Sequence, residues 1–262
     1  MSAEPDASAL GILGRKPDPL RYGNTDASAP TEVPAIIRAL TPDHVRVLDV
    51  GCGSGGQTCA INQGKNNDVI AVEPDPLRAA AAHSLGLKVY QGLFDQQFVA
   101  SCGSFDVIVL ADVLEHVPDP GQILALARDC LRAGGSVIIS VPNVAHWTVR
   151  FRLLFGRFDY ADGGIMDATH LRWFTRKTLL ALVENAGFRV ARIACSAGLW
   201  MSEYNSRPLN LIPRRIRSRA VLLLLRALPG LMACQYVVQV IAPDDATLRE
   251  PPSTIGAQGV SG

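Results

Sequence analysis

An α/β fold built on a seven-stranded, mostly parallel sheet with an antiparallel edge hairpin is what this sequence predicts, on three observations. Short apolar runs alternate with helical stretches along most of the chain, the pattern left by strand–helix–strand units. The runs are continuous in Val, Ile and Leu rather than alternating, as strands covered on both faces require. The first run passes straight into Gly51, Gly53, Gly55 and Gly56, a tight turn that ends a strand and opens a helix.

The strands read as 45–50, 68–72, 87–90, 105–110 and 136–141, with 188–195 and 235–241 as the closing hairpin. Helices fill the gaps. One follows the glycine turn, and an alanine-rich one covers 76–85. Over 120–131, Ile123, Leu124, Ala127 and Leu131 share a helical face, and Gly134 and Gly135 stop it. Over 175–186, Thr175 caps the start and Gly187 follows the end. Two longer segments, 145–174 and 199–231, interrupt the alternation. Insertions after such strands shape substrate pockets. Residues 1–30 read as a flexible arm and 244–262 as a disordered tail, which leaves 31–243 as the folded domain.

Composition narrows the class. A chain of 262 residues is long enough for one domain with a full core. Its formal net charge of +1 gives no electrostatic case for a nucleic-acid partner. The six cysteines, Cys52, Cys59, Cys102, Cys130, Cys195 and Cys234, are scattered and form no CxxC pair. That argues against a zinc site and for reduced thiols in a cytoplasmic protein. The N-terminus lacks the basic start and apolar stretch of a secretory leader. The longest apolar stretch, 220–233, is broken by Arg226 and Pro229 and is too short to span a bilayer.

The glycine turn carries the strongest chemical signal. Gly51, Gly53 and Gly56 satisfy the dinucleotide pattern GxGxxG, so the turn alone is ambiguous. Asp49, two residues before the first glycine, would repel a pyrophosphate but suits a ligand with a cationic amino group. Glu73 ends the second strand, where a carboxylate can accept both hydroxyls of a ribose.

The ordered segments LDVGCGSGG (48–56), VEPDP (72–76), FDVIVLADVLEHVPDP (105–120) and LRAGGSVIISVPN (131–143) resemble the motifs of class I S-adenosylmethionine-dependent methyltransferases. DATHLRWFT (167–175) is similar to a bacterial subgroup containing ubiquinone-biosynthesis-like O-methyltransferases and enzymes of glycan pathways. The resemblance implies a Rossmann-like three-layer sandwich and S-adenosylmethionine as cofactor. It places Gly51, Gly53 and Gly55 at the methionine end, with Asp49 near the amino group. Glu73 and Pro74 would border the ribose, Leu93 and Phe94 the adenine, and Ala111 and Asp112 would close over the cofactor. The subgroup often has an acid where this chain has Leu93, a role Asp95 could take over.

Methyl transfer is an in-line displacement. The protein must align the acceptor and, for a hydroxyl, remove a proton. Asp112, Glu115 and His116 lie just past the fourth strand; a helix starting near Asp112 would put them on one face. His116 and His170 are the candidate catalytic bases. Asp112, Glu115, His116 and His170 also resemble the metal-binding set of some O-methyltransferases, which usually have Glu in place of Asp112, and no metal is assigned. Base methylation is disfavoured, because the Pro-Pro-aromatic loop of enzymes acting on exocyclic amines is replaced by Ala111 to His116.

Two features concern the acceptor side. Trp147, Phe151, Phe155, Phe158 and Tyr160 are expected to be mainly core of an inserted helix, with one or two facing a ligand. The stretch 207–226 holds six arginines and no acid. It reads either as a solvated basic helix or as a peripheral contact with anionic lipid. The sequence thus points to O-methylation of a small molecule: a sugar, a glycan intermediate or a quinol-like compound. An NAD(P)-dependent oxidoreductase and a non-catalytic cofactor-binding regulator are the alternatives.

Overall fold

The structure, a computed structural model, describes residue 27 and residues 29–243. The expected 244–262 tail and nearly all of the 1–30 arm lie outside the described residues. Seven strands form one sheet: β1 Arg46–Val50, β2 Asp68–Glu73, β3 Lys88–Gln91, β4 Phe105–Ala111, β5 Leu131–Pro142, β6 Arg189–Ser196 and β7 Gln235–Ile241. Their order is β3-β2-β1-β4-β5-β7-β6. The first five are parallel, and β7 runs antiparallel between β5 and β6.

The helices are α1 Val33–Leu40, α2 Gly56–Asn62, α3 Pro76–Ser84, α4 Gln96–Cys102, α5 Pro120–Asp129, α6 Trp147–Leu154 and α7 Arg176–Asn185. The short α8 Ser202–Asn205, then α9 Arg214–Ala227 and α10 Pro229–Met232, complete the set. Adjacent strand residues point to opposite faces, and both faces are covered. Val47, Val107, Val109 and Ile138 pack with Ile37 and Ile61 on one side. Leu48, Ile108 and Ile139 pack with Leu124, Leu179 and Val183 on the other. This is the three-layer arrangement expected.

Four departures have physical causes. β5 starts at Leu131, five residues before the expected 136, because Phe105 pairs with Leu131 ahead of a register shift at Val107. The expected 120–131 helix stops at Asp129 for the same reason. Helices α1 and α4 were not read from the sequence. α1 is eight residues long and has no side-chain cap, while α4 is seven and starts where Asp95 accepts the Phe98 N–H at 2.9 Å. Finally, the inserted aromatics are not core. Phe151, Phe155 and Phe158 are exposed, and Trp147 and Tyr160 are half-buried. α6 has only two turns, and its buried face belongs to Thr148 and Val149.

The six thiols are free. Burial pushes the Cys130 thiol up to about 12 and raises those of Cys52 and Cys234 as well, which makes them inert at neutral pH. Among the described residues, no helix is long and apolar enough to cross a membrane.

Candidate functional site

The sheet grows in opposite directions from β1 and β4, and ligands of α/β folds bind where strand order reverses in this way. A cavity of about 880 Å³ opens there, at the carboxyl ends of β1, β2 and β4. Gly51, Gly53, Glu73, Pro74, Leu93 and Phe94 line one half; Asp112, Glu115, His116, Ile165, Thr169 and His170 line the other. Ala111 also reaches the wall.

The glycine turn is tied to β2, since the Gly51 and Cys52 N–H groups both donate to Val72 O, at 2.8 and 3.2 Å. Gly55 caps α2 in the left-handed region at φ 83°, and a Cβ there would meet Ala82 at 2.9 Å. It is therefore needed for the turn to sit on α3, and it does not line the cavity. At Gly53, φ is 57° and an added Cβ would meet nothing within 4 Å. A side chain there would occupy the ligand's space.

Glu73 is buried at the end of β2. Its Oε2 accepts the Gly53 N–H at 2.8 Å and its Oε1 the Asp75 N–H at 3.0 Å. Each oxygen keeps a second lone pair, so the carboxylate is held in place with acceptor capacity left for a diol. Asp49 is placed differently from the expectation. It lies behind the wall, under α2, where the Thr58 hydroxyl donates to its Oδ2 at 2.5 Å. Burial, together with the negative Glu73 nearby, lifts its pKa to about 7. Gln57 was missed by the sequence reading. It lines the cavity, and its Nε2 is buried without a partner, which makes it a donor for a ligand carboxylate. Phe94 both lines the cavity and packs edge-on against Phe98 at 5.8 Å, while Leu93 is exposed at its rim. Asp95 caps α4 and is not among the residues that line the cavity.

No helix starts at Asp112. This residue sits at φ 56°, and one 3-10 turn, Leu114–His116, follows it. The conformation is costly for a residue other than glycine. It turns the carboxylate back to β5 and β7, where Oδ1 accepts from Ser140 Oγ at 2.9 Å and Gln235 Nε2 at 2.7 Å. Gln235 was also missed, and its only sequence signal was an amide heading an apolar strand. Burial raises the pKa of Asp112, opposed by these two bonds.

The next turn gathers the acceptor half. Glu115, His116 and His170 each present a ligating atom, all within 4.8 Å of one another. The imidazole centroids lie 4.8 Å apart, edge to face. His116 Nδ1 is 3.3 Å from Thr169 O, and His170 Nδ1 is 3.2 Å from Ile165 O. A carbonyl can only accept, so each Nδ1 carries a proton, and in the neutral imidazole the lone pair lies on Nε2. The 145–174 insertion is latched to this turn by the Leu171 and Arg172 N–H groups, which donate to Glu115 O at 2.7 and 3.0 Å. The Glu115 side chain is buried, and neither carboxylate oxygen has a hydrogen-bond partner. Its pKa is driven well above the ordinary value, first by burial and then by Asp112 and Asp167. A buried, unpartnered carboxylate beside two imidazoles fits a divalent cation. Asp112 is not part of that group.

Comparison with known proteins supplies the family. Residues 25–193 match the model of a methyltransferase domain. A ubiquinone biosynthesis O-methyltransferase of Xanthomonas axonopodis pv. citri is 33% identical over 172 residues, covering 63% of this chain and 71% of that protein. One of Pseudomonas aeruginosa is 36% identical over 103 residues, but the matched part spans 44% of its length. Among solved structures, a SAM-dependent methyltransferase of Thermotoga maritima, titled a possible histamine N-methyltransferase, superposes with a TM-score of 0.53. It is 17% identical, over 80% of this chain and 87% of that one. The 1,6-didemethyltoxoflavin-N1-methyltransferase of Burkholderia thailandensis, solved with S-adenosylhomocysteine bound, gives 0.51 at 22% identity, over 86% of this chain and 81% of that one. The glycine turn, the glutamate that ends β2 and the match over most of the fold lead to one conclusion: the chain belongs to the methyltransferase-domain family, as a class I enzyme that uses S-adenosylmethionine.

Proposed function

We propose that the enzyme transfers the methyl group to a hydroxyl of a phenolic or quinol-like small molecule. In this reading Glu73 and Pro74 border the ribose, Leu93 and Phe94 flank the adenine, and Gly51, Gly53 and Gln57 border the methionine end. Ala111 and Asp112 stand between the two halves of the cavity. The observation that carries the proposal is the cluster of Glu115, His116 and His170 in the same cavity as Gly53 and Glu73. It supplies lone pairs where an acceptor proton must leave.

His116 and His170 have the tautomer a base needs, with Nδ1 anchored to a carbonyl and Nε2 carrying the lone pair. Val117, Pro118, Ile123 and Ile165 give the cavity an apolar lining that suits a flat apolar acceptor better than a sugar. The ubiquinone name of the relatives supports the same choice. Glu115, His116 and His170 would hold a divalent ion, and such an ion lowers the pKa of a coordinated hydroxyl. The NAD(P) alternative does not survive the family assignment.

The test is a labelled-methyl assay on catechols, other phenols and sugar nucleotides. Methylation of phenols is expected, with His170→Ala lowering turnover by about 10²-fold or more while the thermal shift caused by S-adenosylhomocysteine stays. Turnover on sugar nucleotides alone, or unchanged turnover in both His116→Ala and His170→Ala, would refute the reading. Activity indifferent to a chelator would remove the ion and leave the imidazoles as bases.

A further inference from the structure

From Tyr204 to the end of the described residues, the chain holds six arginines and no acid, in a protein whose formal net charge is only +1. The structure shows how α9 displays them. Val221 and Leu225 face the core. On the opposite side Ile216, Ala220, Leu223, Leu224 and Ala227 recur at the three- and four-residue spacing of one helical face, and all five are exposed. Leu223 is 64% exposed and Ile216 59%. Arg215, Arg219 and Arg226 run along the border of this face, and all three are exposed. Among the described residues none of them forms an ion pair or side-chain hydrogen bond. Arg217 differs, since it donates to Leu209 O and Asn205 Oδ1 and fixes the helix to the segment before it.

Elements linked to α9 through α8, which Arg217 reaches at Asn205, also expose apolar side chains. α6 is joined to α8 by Arg152–Glu203 at 3.0 Å and by Trp147 Nε1 donating to Tyr204 OH at 3.0 Å. It exposes Phe151, Leu154 and Phe155, with Leu154 77% exposed. Leu211, Ile212 and Leu228 are exposed on either side of α9. Trp200, just before α8, is half exposed and lines the cavity. Isolated exposed leucines are ordinary, but a two-sided apolar helix edged by unpaired arginines is not.

We propose that α9 docks on an anionic lipid surface through its arginine-edged apolar face. The arginine row meets the headgroups, and Ile216, Leu223 and Leu224 enter the interface. Charge complementarity selects this occupant. A second copy packed through this same face would set one arginine row against another, while anionic headgroups neutralise the row. The docking surface does not depend on which acceptor is methylated.

The experiment is co-sedimentation of the full chain with vesicles of mixed phosphatidylglycerol and phosphatidylcholine, and with phosphatidylcholine alone. Binding is expected to the first only, and to fall as salt rises. The combined Arg215→Glu, Arg219→Glu and Arg226→Glu variant should lose at least about a hundredfold in affinity, roughly fivefold per arginine removed. Leu223→Ser with Leu224→Ser should weaken binding to anionic vesicles as well. The thermal shift by S-adenosylhomocysteine serves as the folding control, since none of these residues touches the cavity. No binding to anionic vesicles, equal binding to both kinds, or a dimer in light scattering that the arginine changes dissolve without altering vesicle binding would each overturn the proposal.

Discussion

Asp49 shows how a single buried carboxylate ties the donor site to pH. Its ordinary pKa is 3.8, and burial lifts it to about 7. Below about 4 the group is protonated in both folded and unfolded chains. Between about 4 and 7 the unfolded chain releases this proton and the folded one keeps it. The contribution to stability is therefore full at low pH, falls through that window and levels off above 7. The ligand-free Asp49→Asn variant should show a shallower loss of melting temperature between pH 5 and 7, measured by thermal denaturation. A slope equal to that of the parent would contradict the assignment. Asp112 and Glu115 are shifted in the same direction by burial and leave some residual slope. At Glu73 the expectation concerns binding. Glu73→Gln exchanges a charged acceptor for a neutral one and should weaken S-adenosylhomocysteine about 10- to 100-fold by calorimetry. At this scale the sequence was legible where a position follows from its strand: Glu73 and Gly53 fall where the motif put them. It was opaque where long-range packing decides. Asp49 points behind the wall because Thr58 captures it, and Gln235 reaches Asp112 only because β7 lies beside β5.

Among the elements, inner strands such as β1 and β4 were read within a residue or two because they are buried and apolar along nearly their whole length, so the run and the strand coincide; the exposed edge strands β3 and β6 were placed as closely from their flanking turns. The exception was β5, whose start depends on pairing with Phe105 rather than on its own composition. Short helices such as α1 have too few turns to imprint a period. The inserted segments were placed but not resolved, since their aromatic residues look the same whether they face core or solvent. Their anchoring is explicit in the structure. Asn143, fully buried at the end of β5, donates to Ala233 O at 2.9 Å, and its Oδ1 accepts the Ala145 N–H at 3.0 Å. Asn143→Ala leaves both backbone groups without their partner and should cost about 2–4 kcal/mol in denaturant unfolding. The bond by which Thr175 caps α7, in a reciprocal pair with Thr178, is exposed. Thr175→Ala should cost only about 1 kcal/mol.

For the molecule as a whole, ligand and fold are linked, because anything that binds only the folded cavity stabilises it. S-adenosylhomocysteine at about 100 times its dissociation constant should add about 2.7 kcal/mol. For a domain of this size that is a rise of roughly 5–10 °C in melting temperature. NAD at the same concentration should leave the melt unchanged, and an equal shift by NAD would count against the donor assignment.

The register of the hairpin carries one more consequence. Ser196 pairs with Gln235, and the Cys234 N–H donates to Ser196 O at 3.0 Å, so residues 197–234 leave and re-enter the sheet at a single closed point. Everything between is one excursion from the sheet, anchored by Val221 and Leu225 in the core and by Asn143 at Ala233 O. Exchanging it for the corresponding stretch of a relative should alter surface attachment and acceptor preference together while the grip on S-adenosylhomocysteine persists.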